Sequence, residues 1–270
     1  MTGDALPSKS AFDPLAEHWY RFMSTAPQRE FALRGDGICG VENALARIRP
    51  GATVLDCACG PGLLVLDLLA RGYNAYGLDG SAGMIDTARR HGFPGKMSKR
   101  LFVAEWQHLP EKLRRRFDLV ICSGASLHHC PGDGMVAALR GMYAVLKPGG
   151  LLFLDGQDWE VNRRNSVHYW AYPSDQTEDG RVTWLLHTHY PRYFHQAHTV
   201  EIIIMCENAQ ANAVQHFPVT IFPFRFRELA RRLKRVGFDE LETSSREGAF
   251  TFGVIAHKAR GRWPGAETQG

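Results

Sequence analysis

The chain has 270 residues, of which 44% are hydrophobic and 22% are charged. Because this composition is that of an ordinary globular domain and no apolar run is long enough to cross a bilayer, we expect no membrane-spanning segment. The net charge of +4 is weak support for nucleic-acid binding, since the basic runs at 114–116 and 231–235 have the pattern of solvated surfaces.

The first fourteen residues lack the basic segment and the apolar segment of a secretory signal, so we expect a cytoplasmic protein. Cysteines in a reducing compartment remain free thiols. This prediction covers Cys39, Cys57, Cys59, Cys122, Cys130 and Cys206.

Strand and helix patterns alternate from residue 40 onward. The strands are predicted at 52–56, 74–78, 101–104, 118–123 and 150–155. The helices are predicted near 62–71, 82–91 and 134–146. This alternation is typical of an α/β fold with a Rossmann-like, doubly wound sheet of mostly parallel strands.

The alternation stops after Asp155, where a segment rich in aromatic and histidine residues begins. The segment contains three predicted strands, of which the first two form an antiparallel hairpin: 181–190, 198–208 and 213–222. The chain then returns to the main sheet through a helix and a strand pair, predicted at 226–238, 239–245 and 249–257. We therefore predict a seven-stranded main sheet with a β-rich insertion after the fifth strand.

The stretch DCACGPG at 56–62 lies between the first predicted strand and a helix. A strand, a glycine turn and a helix together direct backbone N–H groups at a bound ligand. Val65 stands where a dinucleotide-binding motif has its third glycine, so a nicotinamide cofactor is disfavoured. Asp79 ends the second strand, and a carboxylate in that position suits the two hydroxyls of a ribose.

Two cysteines in this stretch, Cys57 and Cys59, are candidate zinc ligands. The one-residue spacing places both on one face of a strand, but the available partners are the remote His128, His129 and Cys130. We predict small residues of the ligand cradle instead, and no metal.

Four segments, VLDCACGPG, GLDGS followed by Met84, VAEWQHLP and FDLVICSGASLHH, together resemble the class I S-adenosylmethionine-dependent methyltransferases over about residues 30 to 156. The resemblance implies S-adenosyl-L-methionine as the cofactor. It places the methionyl part on Asp56 and the 57–62 backbone, the ribose on Asp79, and the adenine beside Met84, Glu105 and Trp106. The implied cofactor-binding residues are Arg34, Asp56, Cys57, Ala58, Gly60, Gly62, Asp79, Gly80, Ser81, Met84, Glu105, Trp106 and Ser123.

The order of motifs, followed by a β-rich insertion, resembles glycine N-methyltransferase and related small-molecule methyltransferases. Arg34 lies where those enzymes keep an arginine for the cofactor carboxylate. Their pattern Gly-Asn-Ser-aromatic-any-His corresponds to 124–129, where Ala125 replaces the asparagine that holds the amino-acid substrate. This replacement argues against glycine as the acceptor.

The resemblance thus implies methyl transfer to a small-molecule acceptor, an amine first. The alternatives are an O-methyltransferase of an acidic or phenolic metabolite, an RNA methyltransferase and a non-catalytic nucleotide-binding regulator. His128 and His129 follow a strand end that faces the substrate and are the predicted catalytic residues, with a packing role as the alternative. No membrane partner is expected, nucleic acid is disfavoured, and assembly into a homo-oligomer stays open.

The insertion, as the resemblance implies, forms a lid that carries specificity. Its arginines suggest an acidic or polar acceptor. His187 and His189 share one strand face and have metal-like spacing with His195 or His198, but no carboxylate or thiolate follows at similar range in the sequence. The predicted acceptor-binding residues are Trp19, Tyr20, Arg163, Arg164, Tyr169, Trp170, His187 and His189, with Trp159, Trp184 and Tyr190 as further pocket residues.

Five parts follow from these predictions. They are an N-terminal helical lid segment at 1–39, a cofactor-binding core at 40–156, the lid insertion at 157–222, the rest of the core at 223–259 and a disordered tail at 260–270.

Overall fold

A computed structural model describes residues 11–34, 40–165, 168–172, 175–177, 180–193, 195–207, 212–244 and 251–260. The predictions for residues 1–10, for Cys39 and for 261–270 lie outside these ranges. Cys57, Cys59, Cys122, Cys130 and Cys206 are free thiols, as predicted. No helix in the described ranges is both long enough and apolar enough to span a membrane.

The strands in chain order are β1 Thr53–Asp56, β2 Asn74–Asp79, β3 Leu101–Val103, β4 Phe117–Cys122, β5 Leu146–Gln157, β6 Tyr169–Ala171, β7 Asp175–Thr177, β8 Gly180–His189, β9 His198–Glu207, β10 Asn212–Ile221, β11 Phe238–Ser244 and β12 Thr251–Lys258. The helices are α1 Ala16–Met23, α2 Ala26–Arg34, α3 Val41–Leu45, α4 Leu63–Ala70, α5 Ala82–His91, α6 Leu109–Lys112, α7 Met135–Val145, α8 Trp159–Arg164 and α9 Phe226–Val236.

The main sheet has seven strands in the order β11-β12-β5-β4-β1-β2-β3. The strands from β1 to β5 pair in parallel, whereas β12 is antiparallel to both β5 and β11. The strand order reverses at β1, next to β4, and in open sheets of this kind ligands bind at that point beyond the carboxyl ends of the strands. The predicted Rossmann-like fold is confirmed.

Both faces of the main sheet are covered by helices. Leu55 and Val120 belong to one core cluster, together with apolar residues of α7 and α9. Val54 and Leu119 belong to the other, with residues of α3, α4 and α5. Burial on both faces explains why these strands read as continuous apolar runs in the sequence.

The insertion folds as a second, antiparallel sheet in the order β10-β9-β8-β6, with β7 also paired to β8. The predicted hairpin and third strand are present as β8, β9 and β10. The short strands β6 and β7 were not predicted, because three residues are too few to show an alternating pattern. Trp184, Ile202 and Phe217 on the inner face pack against Leu15 and Phe22 of the N-terminal segment.

The N-terminal segment is attached to α5. The Asp13 carboxylate accepts hydrogen bonds from the Ser81 hydroxyl at 2.5 Å and from the Gly83 N–H at 2.9 Å. The ring of Tyr20 stacks on His91 with centroids 4.0 Å apart. These contacts hold α1 beside the carboxyl end of β2, between the two sheets.

Candidate active site

A cavity of about 280 Å³ lies between the carboxyl ends of the parallel strands and the inner face of the insertion sheet. The lining residues from the main domain are Cys57, Ala58, Gly60, Asp79, Gly80, Ser81, Met84, Ala104, Glu105, Trp106, Gln107, Gly124, Ala125, Ser126, His129 and Cys130. The rest of the lining, from the N-terminal segment, the end of β5 and the insertion, is Phe12, Trp19, Gln157, Trp159, Tyr172, Leu186, Val200, Ile202, Val219 and Ile221.

The loop after β1 forms one wall of the cavity. Gly60 has a left-handed backbone with φ of +50°, and a Cβ at this position would lie 3.8 Å from the Trp19 indole. Trp19, one of the predicted acceptor-binding residues, therefore lies against this loop. Gly62, also left-handed, does not line the cavity, since a Cβ there would meet the Phe93 ring at 2.8 Å. Its role is close packing at the start of α4.

Asp79 connects the two loops that follow β1 and β2. Its Oδ2 accepts a hydrogen bond from the Gly60 N–H at 2.8 Å, and its Oδ1 accepts one from the Ser81 N–H at 2.8 Å. An ionised carboxylate has about four acceptor positions, so two remain for the hydroxyls of a ribose. Burial raises the pKa of the Asp79 carboxyl, and the two N–H donors partly offset that rise.

The predicted adenine-binding residues lie together at the next part of the cavity. Met84 is 3% exposed and follows Ser81, whose hydroxyl caps α5 through the Met84 N–H. Trp106 donates its indole N–H to the Cys57 carbonyl at 2.5 Å, which fixes the ring beside the loop after β1. Glu105 also lines this part. An apolar shelf with a neighbouring carboxylate fits a purine that carries an amino group.

Asp155, which the sequence analysis did not select, holds a strained turn. Its carboxylate accepts hydrogen bonds from the Ala125 N–H at 2.7 Å and from the Gly124 N–H at 3.0 Å. Ala125 has φ of +55°, a left-handed conformation that costs a non-glycine residue about 1–2 kcal/mol. Such outliers cluster at functional sites. Gly124 and Ala125 line the cavity, whereas the predicted Ser123 does not.

Three acids thus lie around the carboxyl ends of β1, β2 and β5: Asp56 is buried, and Asp79 and Asp155 are partly buried. Burial raises the pKa of Asp56 to about 7, although the Ala58 N–H stabilises its charge, and the negative charges of Asp79 and Asp155 raise it further. Burial also raises the pKa of Asp155 to about 6. A cationic ligand in this end of the cavity would favour the ionised form of all three groups.

The two predicted catalytic histidines have different surroundings. His128 is fully buried outside the cavity, where its Nε2 accepts the Gln157 N–H at 3.2 Å and its Nδ1 lies 3.3 Å from the Phe222 carbonyl oxygen. Burial lowers its pKa to about 3. The structure therefore gives His128 a packing role, which was the alternative to catalysis.

His129 lines the cavity. Its Nδ1 lies 3.1 Å from the Thr220 carbonyl oxygen, so the proton is on Nδ1 and Nε2 is the acceptor. Burial lowers the pKa of the imidazole, which keeps it neutral at pH 7. Phe12 packs against the ring edge-on with centroids 4.9 Å apart. His129 is thus the lining imidazole that can accept a proton.

The insertion contributes a roof to the cavity that is mainly apolar. Strand alternation places Leu186 of β8 and Ile202 of β9 on the inner face, with Val219 of β10 beside them. Among the described residues that line the cavity, none is an arginine or a lysine. The arginines from which an acidic or polar acceptor was predicted are therefore not among the described residues that line the cavity.

Most of the predicted acceptor-binding residues lie outside this cavity. Arg163 donates to the Arg192 carbonyl, and Arg164 pairs with Glu160 at the surface. Tyr169 is 61% exposed and stacks on His187 on the outer face of the insertion sheet. The residues that the structure does not bring to the cavity are Tyr20, Arg163, Arg164, Tyr169, Trp170, His187 and His189. Adjacent residues of a strand face opposite sides of the sheet, and the sequence did not reveal which of the alternating residues face the cavity.

Two further predictions need correction. Arg34, assigned to the cofactor carboxylate, is 62% exposed at the end of α2, where it pairs with Glu30 at 2.9 Å. The second is the shared face of Cys57 and Cys59. Because β1 ends at Asp56 and the chain then turns, Cys57 packs in the core cluster on one side of the sheet and Cys59 in the cluster on the other side.

Residues 54–150 match a family described as a methyltransferase domain. That segment carries the loop after β1, Asp79 and the strands β1 to β4. Over this segment, the match confirms the resemblance to the class I S-adenosylmethionine-dependent methyltransferases that the sequence motifs indicated.

The names of individual relatives describe methylation of different atoms, nitrogen in some and oxygen in others. A glycine/sarcosine N-methyltransferase of Parasynechococcus marenigrum (strain WH8102) is 35% identical over 109 residues, 40% of this chain and 39% of that protein. One from Aphanothece halophytica is 26% identical over 200 residues, 70% of this chain and 67% of that protein. A ubiquinone biosynthesis O-methyltransferase of Xanthomonas axonopodis pv. citri (strain 306) is 31% identical over 144 residues, 53% of this chain and 57% of that protein. The chain thus spans only part of the length of these relatives.

Solved structures match over more of the chain. An amino pentose methyltransferase from Micromonospora echinaspora with S-adenosylmethionine bound has a TM-score of 0.67 at 20% identity, covering 90% of this chain and 96% of that one. A sugar N-methyltransferase from Streptoalloteichus sp ATCC 53650 has a TM-score of 0.66 at 20% identity, covering 96% of each chain. At this identity the likeness shows the fold, and its coverage extends beyond the parallel sheet.

Proposed function

We propose that this chain transfers a methyl group from S-adenosylmethionine to a small-molecule acceptor, and that the acceptor atom is an amine nitrogen. The observation that carries the proposal is the two-part cavity. One end is formed by the loops of the methyltransferase domain, and the other is an apolar roof with His129 at its edge.

The residues at the first end fit the cofactor. Asp79 would hold the ribose hydroxyls, Met84 and Trp106 would flank the adenine, and the backbone around Gly60 would hold the methionyl part. When bound, the cofactor supplies a methyl group on a positively charged sulfur. Asp56 and Asp155 add negative charge on this side of the cavity, which favours a cation.

The second end positions the acceptor and excludes water. Holding two reactants in line can lower the activation barrier by about 7–11 kcal/mol. A closed apolar roof that positions the acceptor therefore contributes to catalysis. An amine attacks only as the neutral base, so its ammonium form must first lose a proton. The unprotonated Nε2 of His129 can accept that proton. The lowered pKa of His129 keeps that acceptor available at neutral pH.

The lining also supports a proposal for the class of acceptor. No lysine or arginine among the described lining residues is available to pair with an acidic group. Of the expected acidic or polar acceptors, we therefore set aside the acidic ones in favour of a neutral molecule with an apolar portion. The names of several relatives, two glycine/sarcosine N-methyltransferases and a sugar N-methyltransferase, support nitrogen as the acceptor atom. Methylation of a phenol is the second candidate, because His129 could equally deprotonate a hydroxyl and one relative is an O-methyltransferase.

The test uses pairs of acceptors that differ only in an amine or a hydroxyl on the same carbocyclic or sugar ring. S-Adenosylhomocysteine and the methylated product are quantified by mass spectrometry. We expect turnover of at least one amine and slower turnover of its hydroxyl partner. Turnover of the hydroxyl compounds alone would overturn the N-methyltransferase assignment. If the protein binds the cofactor but turns over neither the amines nor the hydroxyl compounds, the assignment of the acceptor class is overturned.

A matched pair of variants tests the position of the acceptor. Leu186 lines the cavity, whereas the adjacent Leu185 does not and lies on the opposite face of β8. Loss of apolar contact in a pocket costs about 10- to 200-fold in specificity. Leu186→Ala should therefore lower kcat/KM for the acceptor by at least tenfold with cofactor affinity unchanged, and Leu185→Ala should change neither. Equal effects of the two substitutions would show that the acceptor binds elsewhere.

A further inference from the structure

The outer face of the insertion sheet carries a cluster of histidines around one glutamate. His187 and His189 lie on β8, and Glu201 lies on the neighbouring β9. The His189 Nε2 is 3.7 Å from the Glu201 Oε2, and the His187 Nδ1 is 4.0 Å from the same oxygen. One ligand atom from each residue lies within 4.8 Å of the other two.

Strand pairing brings these residues together. His187 is directly opposite Glu201 in the register of β8 and β9, and His189 is the next residue of β8 on the same face. The sequence analysis considered the two histidines but missed the carboxylate, because Glu201 comes from the partner strand of the hairpin.

The side chains of the cluster are positioned by their neighbours. His216 of β10 places its Nδ1 3.0 Å from the Glu201 Oε1, which leaves Oε2 directed at the other two histidines. Tyr169 stacks on the His187 ring with centroids 4.3 Å apart and an interplanar angle of 8°. Ligating carboxylates and imidazoles in metal sites are held by partners of this kind.

Two imidazoles and one carboxylate form a common ligand set for zinc. Bonds of about 2.0–2.2 Å in a tetrahedron place the ligand atoms roughly 3.4 Å apart, so small side-chain rotations would complete the site. The His189 side chain is 51% exposed, so a water molecule can reach the fourth position. We propose that His187, His189 and Glu201 bind one Zn²⁺ or a similar divalent transition-metal ion.

The ion would act on the roof of the cavity. Glu201 alternates along β9 with Val200 and Ile202, whose side chains line the cavity on the opposite face. A bond between β8 and β9 through the metal would restrict the movement of both strands. The site is thus a brace of the roof and makes no contact with the reacting atoms.

The test uses the untagged 270-residue chain after treatment with a chelator. Zn²⁺ is titrated by calorimetry, and Co²⁺ is added to a second sample for its absorption spectrum. The test variant is the double substitution His187→Ala, His189→Ala. The control is the double substitution His91→Ala, His257→Ala, which removes two histidines that pair with glutamates elsewhere.

We expect one Zn²⁺ per chain in the wild type and in the control, and none in the His187→Ala, His189→Ala variant. His216→Gln should weaken binding by roughly 10- to 100-fold. Zn²⁺ should also slow hydrogen exchange of the β8 and β9 amides, a readout that is independent of methyl transfer. Equal binding by the test variant, a thiolate charge-transfer band in the Co²⁺ spectrum, or no binding by the wild type would each overturn the proposal.

Discussion

Asp79 offers the sharpest test of the cofactor end of the cavity. The substitution Asp79→Asn keeps the shape of the side chain but replaces one oxygen with an NH₂ group. The native carboxylate accepts the Gly60 N–H and the Ser81 N–H, each at 2.8 Å, and its two remaining acceptor positions are the ones assigned to the ribose. An asparagine has one oxygen to offer for all of these donors.

The structure sets the size of the expected loss. At least one hydrogen bond to a charged group disappears, which is worth about 1.5–3 kcal/mol. The dissociation constant for S-adenosylmethionine should therefore rise by roughly 10- to 150-fold, since about 1.4 kcal/mol is a factor of ten.

Calorimetric titration with S-adenosylmethionine measures this change, and Asp86→Asn is the control. Asp86 is a 60% exposed carboxylate on α5 that pairs with Arg89 and does not line the cavity. Thermal unfolding of both variants establishes that the fold is retained. A folded Asp79→Asn variant with wild-type affinity would refute the assignment of the ribose to this residue.

Three other predictions concern the acids, the base and the strained turn. Because the pKa of Asp56 is raised to about 7, this group is mostly protonated at pH 6 and mostly ionised at pH 8. The affinity for cationic S-adenosylmethionine should therefore fall from pH 8 to pH 6, with proton release on binding. Equal affinities at both pH values in calorimetry would contradict this. His129→Gln should lower kcat/KM by at least about 100-fold with cofactor affinity unchanged, and wild-type kcat/KM should fall with decreasing pH as the imidazole is protonated; retained turnover would rule out His129 as the base. Ala125→Gly should raise the free energy of unfolding by about 0.5–1 kcal/mol in denaturant titrations. Glycine relieves the left-handed strain of about 1–2 kcal/mol but loses more backbone entropy on folding. A destabilised variant would show that the turn is unstrained.

The parts of the fold that the sequence predicted are those with local signals. The strands β1, β2 and β4 are short apolar runs, each closed by glycine or a polar residue, and the loop after β1 is one continuous motif. Cys57, Ala58 and Gly60 of that motif, with Asp79 and Met84, therefore line the cavity, whereas Asp56 and Gly62 do not.

The parts that the sequence missed depend on contacts between distant segments. Asp155 was missed because its partners, the N–H groups of Gly124 and Ala125, are brought to it only by the pairing of β4 with β5. Leu186 was missed and His187 was wrongly directed at the cavity because only packing against the N-terminal segment decides which face of β8 is inside. A one-residue error of this kind reverses a whole strand face.

Equilibrium dialysis of the purified chain with radiolabelled S-adenosylmethionine tests the central claim most directly, with NAD⁺ and S-adenosylhomocysteine as competitors. The proposed cofactor site predicts saturable binding of one S-adenosylmethionine per chain, displaced by S-adenosylhomocysteine but not by NAD⁺. A chain that binds NAD⁺ and shows no saturable binding of S-adenosylmethionine would contradict it.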